Sequence, residues 1–155
     1  MSIYYLQQLS APSQQRDSHI QLREITQQQT HHSRRLYQQV GEAWQWLDKL
    51  SWSEQQWQEY AEAPNLRTFV GMLNGEEIGY FELLRHDDDS VEVHYFGLQP
   101  KFIGQGLGGK FLELCAQCAW EWQALRVWLH TCDLDHPHAL KNYQARGFVI
   151  YKVES

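Results

Sequence analysis

The spacing of apolar residues changes several times along the chain, and each change marks a predicted element. Residues 66–73 and 78–84 are rich in β-forming apolar residues. Asn74-Gly75 between them is the strongest short signal for a β-hairpin. A further strand is predicted over 91–98, after the polar turn 85–90. Three consecutive strands joined by short turns predict an antiparallel meander.

A helical spacing precedes this meander. A helix is predicted within residues 27–50 because four apolar residues recur at spacings of four, four and three. They are Leu36, Val40, Trp44 and Leu47, and Gly41 is a place where this helix could be broken. Ser53 is predicted to cap a short second helix that ends before Pro64. Strands are predicted nearer the start of the chain, over 3–6 and 19–25.

A longer amphipathic helix is predicted after the meander, over residues 107–122. Its apolar stripe consists of Leu107, Phe111, Leu114, Cys115, Cys118 and Trp122. A strand over 125–131, a helix from about residue 135 to Tyr143 and a strand over 148–153 follow. This order predicts one α/β domain over residues 1–155, in which 1–15 are an extension or an extra strand.

Composition narrows the possible roles of this domain. The chain has 155 residues and is 43% hydrophobic, which suits one domain with a proper core. Its net charge is −6 and it has no long Lys/Arg cluster, so nucleic acid is not expected as the main partner. With no signal-peptide pattern and no membrane-spanning apolar run, we expect a cytoplasmic protein without membrane association.

The three cysteines raise the question of a metal site. Cys115 and Cys118 form C-x-x-C, but both lie inside the predicted helix, whereas zinc-binding C-x-x-C pairs normally lie at turns. A zinc site would have to add Cys132 with His130 or His136. We expect small apolar fillers of a buried face, and no metal.

Residues 104–109 read Gly-Gln-Gly-Leu-Gly-Gly and join the predicted strand 91–98 to the predicted helix 107–122. A glycine-rich turn at this place leaves backbone N–H groups free at the positive end of the helix dipole. A side chain there would block a ligand or forbid the backbone angles. The stretch therefore predicts a seat for a phosphate group.

Three known phosphate-binding loops fit the glycines of 104–109. One is the dinucleotide fingerprint G-x-G-x-x-G. The second is the P-loop, although Phe111 stands where a Ser or Thr should bind magnesium. The third is the pyrophosphate loop of acyl-CoA enzymes, with Ile103 where an Arg or Gln is usual. Only about 45 residues follow, too few for the βαβ units that the two nucleotide folds need.

A second motif lies downstream of the loop. It consists of His136, Pro137, Ala139, Tyr143, Gly147 and Phe148, close to the pattern N-x-x-A-x-x-x-Y-x-x-x-G-F. With the glycine loop, this motif resembles the GNAT superfamily of acyl-CoA-dependent N-acetyltransferases. The resemblance implies a three-layer α/β fold, with flanking helices and a mostly antiparallel twisted sheet that contains a splayed strand pair. It also implies acetyl-CoA as co-substrate and an amine acceptor, and dimerisation is common in the family.

The resemblance also implies which residues hold the cofactor. The strand before the loop would pair its backbone with the pantetheine arm, and the loop would hold the pyrophosphate. The implied contacts are Phe96, Gly97, Leu98, Ile103, Gly104, Gln105, Gly106, Leu107, Gly108, Gly109, Lys110 and His136. Because Ile103 and His136 replace the usual polar residues, we expect backbone amides to carry most of the binding.

An amine acceptor requires a base, since an amine with a pKa near 10 is mostly protonated at pH 7. Strand alternation predicts one face with Glu92, His94, Phe96 and Leu98. Glu92 matches the approximate family position of the base, and Glu82 and His94 rank next. Tyr143 matches the general acid of the family, which protonates the departing thiolate.

Four tryptophans, Trp44, Trp46, Trp52 and Trp57, fall within fourteen residues. Most are expected in the core, but indole faces attract cations, so Trp46 or Trp52 could contact an acceptor. Glu82 and His94 are expected at the same acceptor site. The alternative function is an acyl-CoA-binding sensor without catalysis on the same fold.

Overall fold

The computed structural model describes residues 2–12, 19–44, 46–135 and 138–155, without the side chain of Trp44. In chain order the elements are strand β1 (Ile3–Gln8), strand β2 (Gln21–Ile25), helix α1 (Gln29–Gly41), helix α2 (Glu54–Ala61), strand β3 (Leu66–Leu73), strand β4 (Glu76–Arg85), strand β5 (Ser90–Leu98), helix α3 (Gly108–Glu121), strand β6 (Arg126–Cys132), helix α4 (Ala139–Ala145) and strand β7 (Val149–Glu154). Single turns of 3₁₀ helix lie at Glu42–Trp44 and Pro100–Phe102.

The seven strands form one sheet in the order β2-β3-β4-β5-β6-β1-β7. Among the strands of the described residues, only β5 and β6 are parallel neighbours, and all other neighbouring strands are antiparallel. Helices α1 and α2 pack on one face of the sheet, and α3 and α4 pack on the other. The predicted three-layer α/β architecture with a mostly antiparallel sheet is confirmed.

Two core clusters hold these layers together. The smaller one, under α1, contains Ile25, Leu36, Val40, Val70 and Tyr80. The larger one, under α3, includes Phe111 and Cys115, which the predicted stripe contains. Its buried helix face is completed by Leu112, Ala116 and Ala119 instead of Leu114 and Trp122, which are half-buried.

Local signals set several element boundaries. Asn74 and Gly75 have φ values of 52° and 80°, as a tight hairpin turn requires. The Ser53 hydroxyl accepts from the Gln56 N–H at 3.2 Å, and the Gln56 side chain accepts from the Ser53 N–H at 2.9 Å. This capping box confirms the predicted start of α2. None of the described helices is long and apolar enough to cross a membrane.

Helix α1 ends at Gly41, at the break that the sequence left open, so Leu47 does not continue its apolar stripe. The chain turns back there, and the Trp46 N–H donates to the Gly41 carbonyl at 3.1 Å. The Trp46 ring covers Gly41 so closely that a Cβ on Gly41 would lie 2.5 Å from it. Leu47, which the predicted stripe contains, is exposed outside the helix.

Strand β1 lies inside the sheet and not at its edge. It pairs with β6 on one side and with β7 on the other, and it is the only strand that pairs with β7 among the described residues. Leu6 on this strand is completely buried in the larger core cluster. The first strand of the chain therefore connects the last one to the rest of the sheet.

We expect Leu6→Ala to lower the free energy of unfolding by about 2–5 kcal/mol, because it leaves a cavity at a fully buried position. Leu9→Ala is the matched control, since Leu9 lies just beyond β1 and is 69% exposed. Its effect should stay within about 0.5 kcal/mol. Urea denaturation measures both values, and equal effects of the two changes would contradict the position of β1 in the core.

Candidate active site

Strands β5 and β6 are paired over a short length and then separate. Their parallel register covers only Ser90, Val91 and Glu92 opposite residues 126–128 of β6. Beyond Glu92, no residue of β5 is in register with β6, so on this side the backbone groups of β5 have no partner strand among the described residues. The separation leaves a cleft between two strands of a continuous sheet, as expected for a splayed strand pair.

A β-bulge in β5 changes which side chains face each helix layer. Tyr95 lies opposite Glu82 of β4, and Val93 lies opposite Leu83, so His94 is the extra residue. The Phe96 ring consequently packs 5.3 Å from the Phe111 ring of α3. The prediction that Glu92, His94, Phe96 and Leu98 share one face is therefore wrong, because the inserted residue reverses the alternation.

The glycine loop leads from the cleft to the N-terminus of α3. Gly104 and Gly106 have φ values of 85° and 76°, a region that other residues rarely adopt. Helix α3 then starts at Gly108 without a side-chain cap. Its first N–H groups have no partner within the helix, so they and the helix dipole can receive an anion.

The other glycines of the stretch have different surroundings. A Cβ on Gly108 would meet Asn142 and Leu98 at ordinary contact distances of 3.6 and 3.9 Å. A Cβ on Gly109 would lie 1.9 Å from the Arg146 guanidinium, whose Nε donates to the Gly109 carbonyl at 3.1 Å. Gly109 therefore allows α4 to pack against α3.

The remaining residues predicted at the cofactor differ in their surroundings and exposure. Gly97 faces the α1 layer, where a Cβ would lie 2.5 Å from Val40. The Gln105 amide donates to the Lys101 carbonyl at 3.1 Å, and the Lys110 side chain is exposed. Ile103 and Leu107 are half-buried. His136 lies outside the described residues.

Tyr143 projects from α4 into the larger core cluster. Its ring centroid lies 6.2 Å from that of Phe96 and 6.1 Å from that of Phe148. Burial raises the pKa of its hydroxyl, and the nearby Asp135 acts in the same direction. The phenol therefore keeps its proton at neutral pH. Its hydroxyl makes no hydrogen bond with any residue that the structure describes.

Glu92 is the last residue of β5 that pairs with β6, and it is only 5% exposed. Its carboxylate oxygens lie 2.9 Å from His86 Nε2, 3.1 Å from His94 Nδ1 and 3.9 Å from His130 Nε2. Burial alone would raise the pKa of this carboxyl, but His94, His86 and His130 outweigh it and lower the pKa. Glu92 is thus an ionised carboxylate in contact with imidazoles.

No signal in the sequence places two of these histidines beside Glu92. His86 follows β4, and His130 lies on β6. Neither belongs to a motif, and only the pairing of β5 with its two neighbours brings them to Glu92. No group of three or more His, Cys, Asp or Glu side chains in the described part of the chain is arranged to hold a metal ion.

Glu82 is the second buried carboxylate, 1% exposed and opposite Tyr95 in the sheet. It accepts hydrogen bonds from the hydroxyls of Ser33 at 2.5 Å, Tyr60 at 2.6 Å and Thr68 at 2.8 Å. Burial raises its pKa, although the three hydroxyl donors oppose this. The carboxyl joins α1, α2 and β3 to β4.

The segment between α1 and α2 covers the sheet beside the cleft. The Trp46 ring packs 5.0 Å from the Tyr95 ring of β5, and its indole N–H lies 3.4 Å from Asp135, just after β6. Trp46 thus reaches across the opening between the two strands. Trp52 is half-buried and packs 5.5 Å from Tyr60, whereas Trp57 is buried in the core.

Comparisons with known proteins agree with this geometry. The sequence pattern of the Acetyltransferase (GNAT) family matches residues 22–148. Uncharacterised N-acetyltransferases of Mycobacterium bovis and Mycobacterium tuberculosis are 32% identical to the chain over 92 residues. The match spans 59% of this chain and 58% of those relatives.

Solved structures share the fold. A GCN5-related N-acetyltransferase from Sphaerobacter thermophilus has a TM-score of 0.72 at 11% identity, over 98% of this chain and 49% of the other. An aminoglycoside acetyltransferase from an uncultured soil metagenomic sample, in complex with sisomicin, has a TM-score of 0.65 at 14% identity. The match covers 83% of this chain and 87% of the other.

We expect Glu82→Gln to remove a pH dependence of stability. Because burial raises the pKa of folded Glu82 above its ordinary 4.5, the unfolded chain releases this proton first as pH rises. The free energy of unfolding of the parent should therefore fall relative to that of Glu82→Gln as pH rises from 4.5 to beyond the raised pKa of Glu82 in the folded protein. Urea denaturation of both proteins at several pH values measures this difference, and a difference that grows in favour of the parent would contradict the raised pKa.

Proposed function

The chain belongs to the acetyltransferase (GNAT) family, and from this premise we propose that it transfers an acetyl group from acetyl-CoA to a primary amine. The acceptor would be a small molecule or peptide, and the reaction would proceed by direct attack in a ternary complex. Members of this family act with acyl-CoA and an acceptor. The observation that supports the proposal most is the cleft between β5 and β6, with a glycine loop at one end and a buried carboxylate where the strands part.

Acetyl-CoA would bind along β5 and the loop. Beyond Glu92, the unpaired N–H and C=O groups on the open side of β5 can pair with the amides of the pantetheine arm. The pyrophosphate would sit at the N-terminus of α3, where free N–H groups and the helix dipole favour an anion. Ile103 offers no charge at this place, so main-chain groups would carry most of the binding.

The acceptor must lose a proton before it attacks. For an amine of pKa about 10, freeing the lone pair at pH 7 costs about 4 kcal/mol. We assign the base to Glu92, which is ionised and linked to His94, so the proton can pass to either group. Glu82 is a weaker candidate, because hydroxyl groups occupy both of its oxygens.

Bond changes in the transfer follow from these roles. The amine nitrogen forms a bond with the acetyl carbon, and the carbon–sulfur bond of the thioester breaks. The amine proton goes to the Glu92–His94 pair, and the departing thiolate takes a proton from Tyr143. Burial keeps the Tyr143 phenol protonated. Because a thiolate is a weaker base than the phenolate, the proton transfer requires the departing sulfur to lie in direct contact with the hydroxyl.

We expect Gly106→Ala to weaken acetyl-CoA binding about 5- to 30-fold, because an alanine at this positive φ costs about 1–2 kcal/mol and distorts the loop. Ile103→Ala should stay close to the parent, since its side chain offers no polar contact. Calorimetric titration with acetyl-CoA measures both.

Gly75→Ala is the matched control for backbone strain, because Gly75 has a φ of 80° in an exposed hairpin turn. This variant should lose stability without losing affinity for acetyl-CoA. A larger loss of affinity in Ile103→Ala than in Gly106→Ala would overturn the main-chain binding of the pyrophosphate.

Thiol release from acetyl-CoA in the presence of cadaverine, spermidine or glycinamide tests the enzyme itself. We expect Tyr143→Phe and Glu92→Gln each to lower kcat about 10²-fold or more. Their affinity for acetyl-CoA, measured by calorimetry, should change little. Tyr151→Phe, at an exposed tyrosine on β7, is the control and should keep the turnover of the parent.

Two outcomes would contradict parts of this proposal. Unchanged turnover in Tyr143→Phe would remove Tyr143 as the acid. Binding of acetyl-CoA without thiol release on any amine would instead favour an acyl-CoA sensor.

A further inference from the structure

Lys49, in the segment between α1 and α2, is a buried lysine, with 6% of its surface exposed. Its Nζ lies 4.4 Å from the ring centroid of Trp52, 4.9 Å from that of Tyr60 and 5.0 Å from that of Tyr95. Asp48 Oδ2 lies 3.3 Å from the same nitrogen. Three aromatic rings and one carboxylate thus form a cage around an ammonium group.

The cage has the chemistry of an alkylammonium site. A buried ammonium is costly unless anions or ring faces replace its water, and the three rings supply such faces. Asp48 is held in place by the hydroxyls of Tyr37, at 3.0 Å, and Tyr95. Partial burial alone would raise the pKa of Asp48, but Tyr95, Lys49 and Tyr37 lower it, so the carboxylate is ionised.

The cage adjoins the groups assigned to proton transfer. The His94 ring lies 5.7 Å from the Tyr60 ring and 4.8 Å from the Tyr95 ring. Tyr60 also donates to Glu82 at 2.6 Å. An ammonium in the cage would therefore lie one ring away from the His94–Glu92 pair.

Lys49 can leave this site without unfolding an element. It belongs to the turn at residues 48–51, outside α1 and α2. The Asp48 side chain beside it is more than half exposed. Since surface turns move more readily than helices and strands, displacing the Lys49 side chain would leave α1 and α2 intact.

We propose that this cage, formed by Asp48, Trp52, Tyr60 and Tyr95, binds a distal ammonium of the acceptor, and that Lys49 fills it until the acceptor arrives. A cage that favours the protonated form would hinder the amine that must lose its proton. The amine in the cage is therefore not the one that reacts, and the acceptor is an aliphatic diamine or polyamine. This inference rests on the proposed acetyl transfer.

Cadaverine and n-pentylamine test the cage, because they share a five-carbon chain and differ only in the distal amine. In the parent protein, kcat/KM should be about tenfold higher for cadaverine. Trp52→Phe keeps a ring but weakens the attraction for a cation, so this preference should fall several-fold, mainly through KM. Equal kcat/KM values for the two amines in the parent would overturn the proposal.

Variants of Lys49 give a readout that does not depend on turnover. Lys49→Ala vacates the cage, so calorimetry should show cadaverine binding about tenfold tighter than to the parent. Lys49→Met refills the cage without a charge and should not bind cadaverine more tightly. Lys152→Ala is the matched control. Lys152 is an exposed residue of β7, and its ammonium lies over a single ring, that of Tyr5. This variant should bind cadaverine as the parent does.

These measurements separate the cage from the acetyl transfer. If Lys49→Ala binds cadaverine tightly and no thiol is released, the proposed reaction fails and the amine site stands. If thiol is released equally well with both amines, the reaction stands and the cage fails. Circular dichroism checks the fold of Lys49→Ala, and if it does not fold, the amine preference of the parent and Trp52→Phe decides.

Discussion

The separation of β5 from β6 after three paired residues is the constraint on which the other features of the site depend. A sheet normally satisfies every backbone group of its inner strands, but beyond Glu92 one side of β5 has no partner strand in the part of the chain that the structure describes. The bulge at His94 occurs just beyond the parting and reverses the faces of the residues that follow. Phe96 can then complete the core under α3, while Glu92 stays on the α1 side. Helices on both faces keep the separated strands in place.

Two buried carboxylates lie on neighbouring strands, and their environments shift their pKa values in opposite directions. Around Glu82 there are neutral hydroxyl groups, so desolvation dominates and its pKa is raised. Around Glu92 there are imidazoles, which together outweigh desolvation and lower its pKa. The same residue type therefore suits different roles, one in joining helices to the sheet and one in our proposed proton transfer.

The tryptophans of α2 and of the segment before it serve different purposes. Trp57 belongs to the core, whereas Trp46 reaches over the cleft to Asp135. Trp52 contributes a face of the cage around Lys49. In our proposal, the segment thereby limits the acceptor to molecules that bring their own second ammonium. In this proposal, the N-terminus of α3 binds the pyrophosphate of acetyl-CoA, and the cage around Lys49 binds an ammonium of the acceptor.

Several elements could be predicted from the amino-acid sequence because they depend on local rules. The hairpin at Asn74-Gly75 needs only backbone angles that these residues adopt readily, and Ser53 with Gln56 caps α2 through neighbouring groups. Residues 104–109 indicated a turn with free N–H groups at the start of α3, since glycine tolerates positive φ. Family membership followed from this loop together with the motif at Tyr143.

Tertiary structure alone decided the features that depend on pairing between distant segments. The position of β1 between β6 and β7 joins the two ends of the chain, and no local pattern encodes such a neighbour. His86 and His130 meet Glu92 only because β4, β5 and β6 lie side by side. No pattern in the sequence marks Lys49, which lies among rings of α2 and β5 only because of how the turn at 48–51 packs on them. The spacing of apolar residues along the sequence predicts which face of its own helix or strand a residue lies on. Contacts between elements depend instead on the order of strands in the sheet and on bulges.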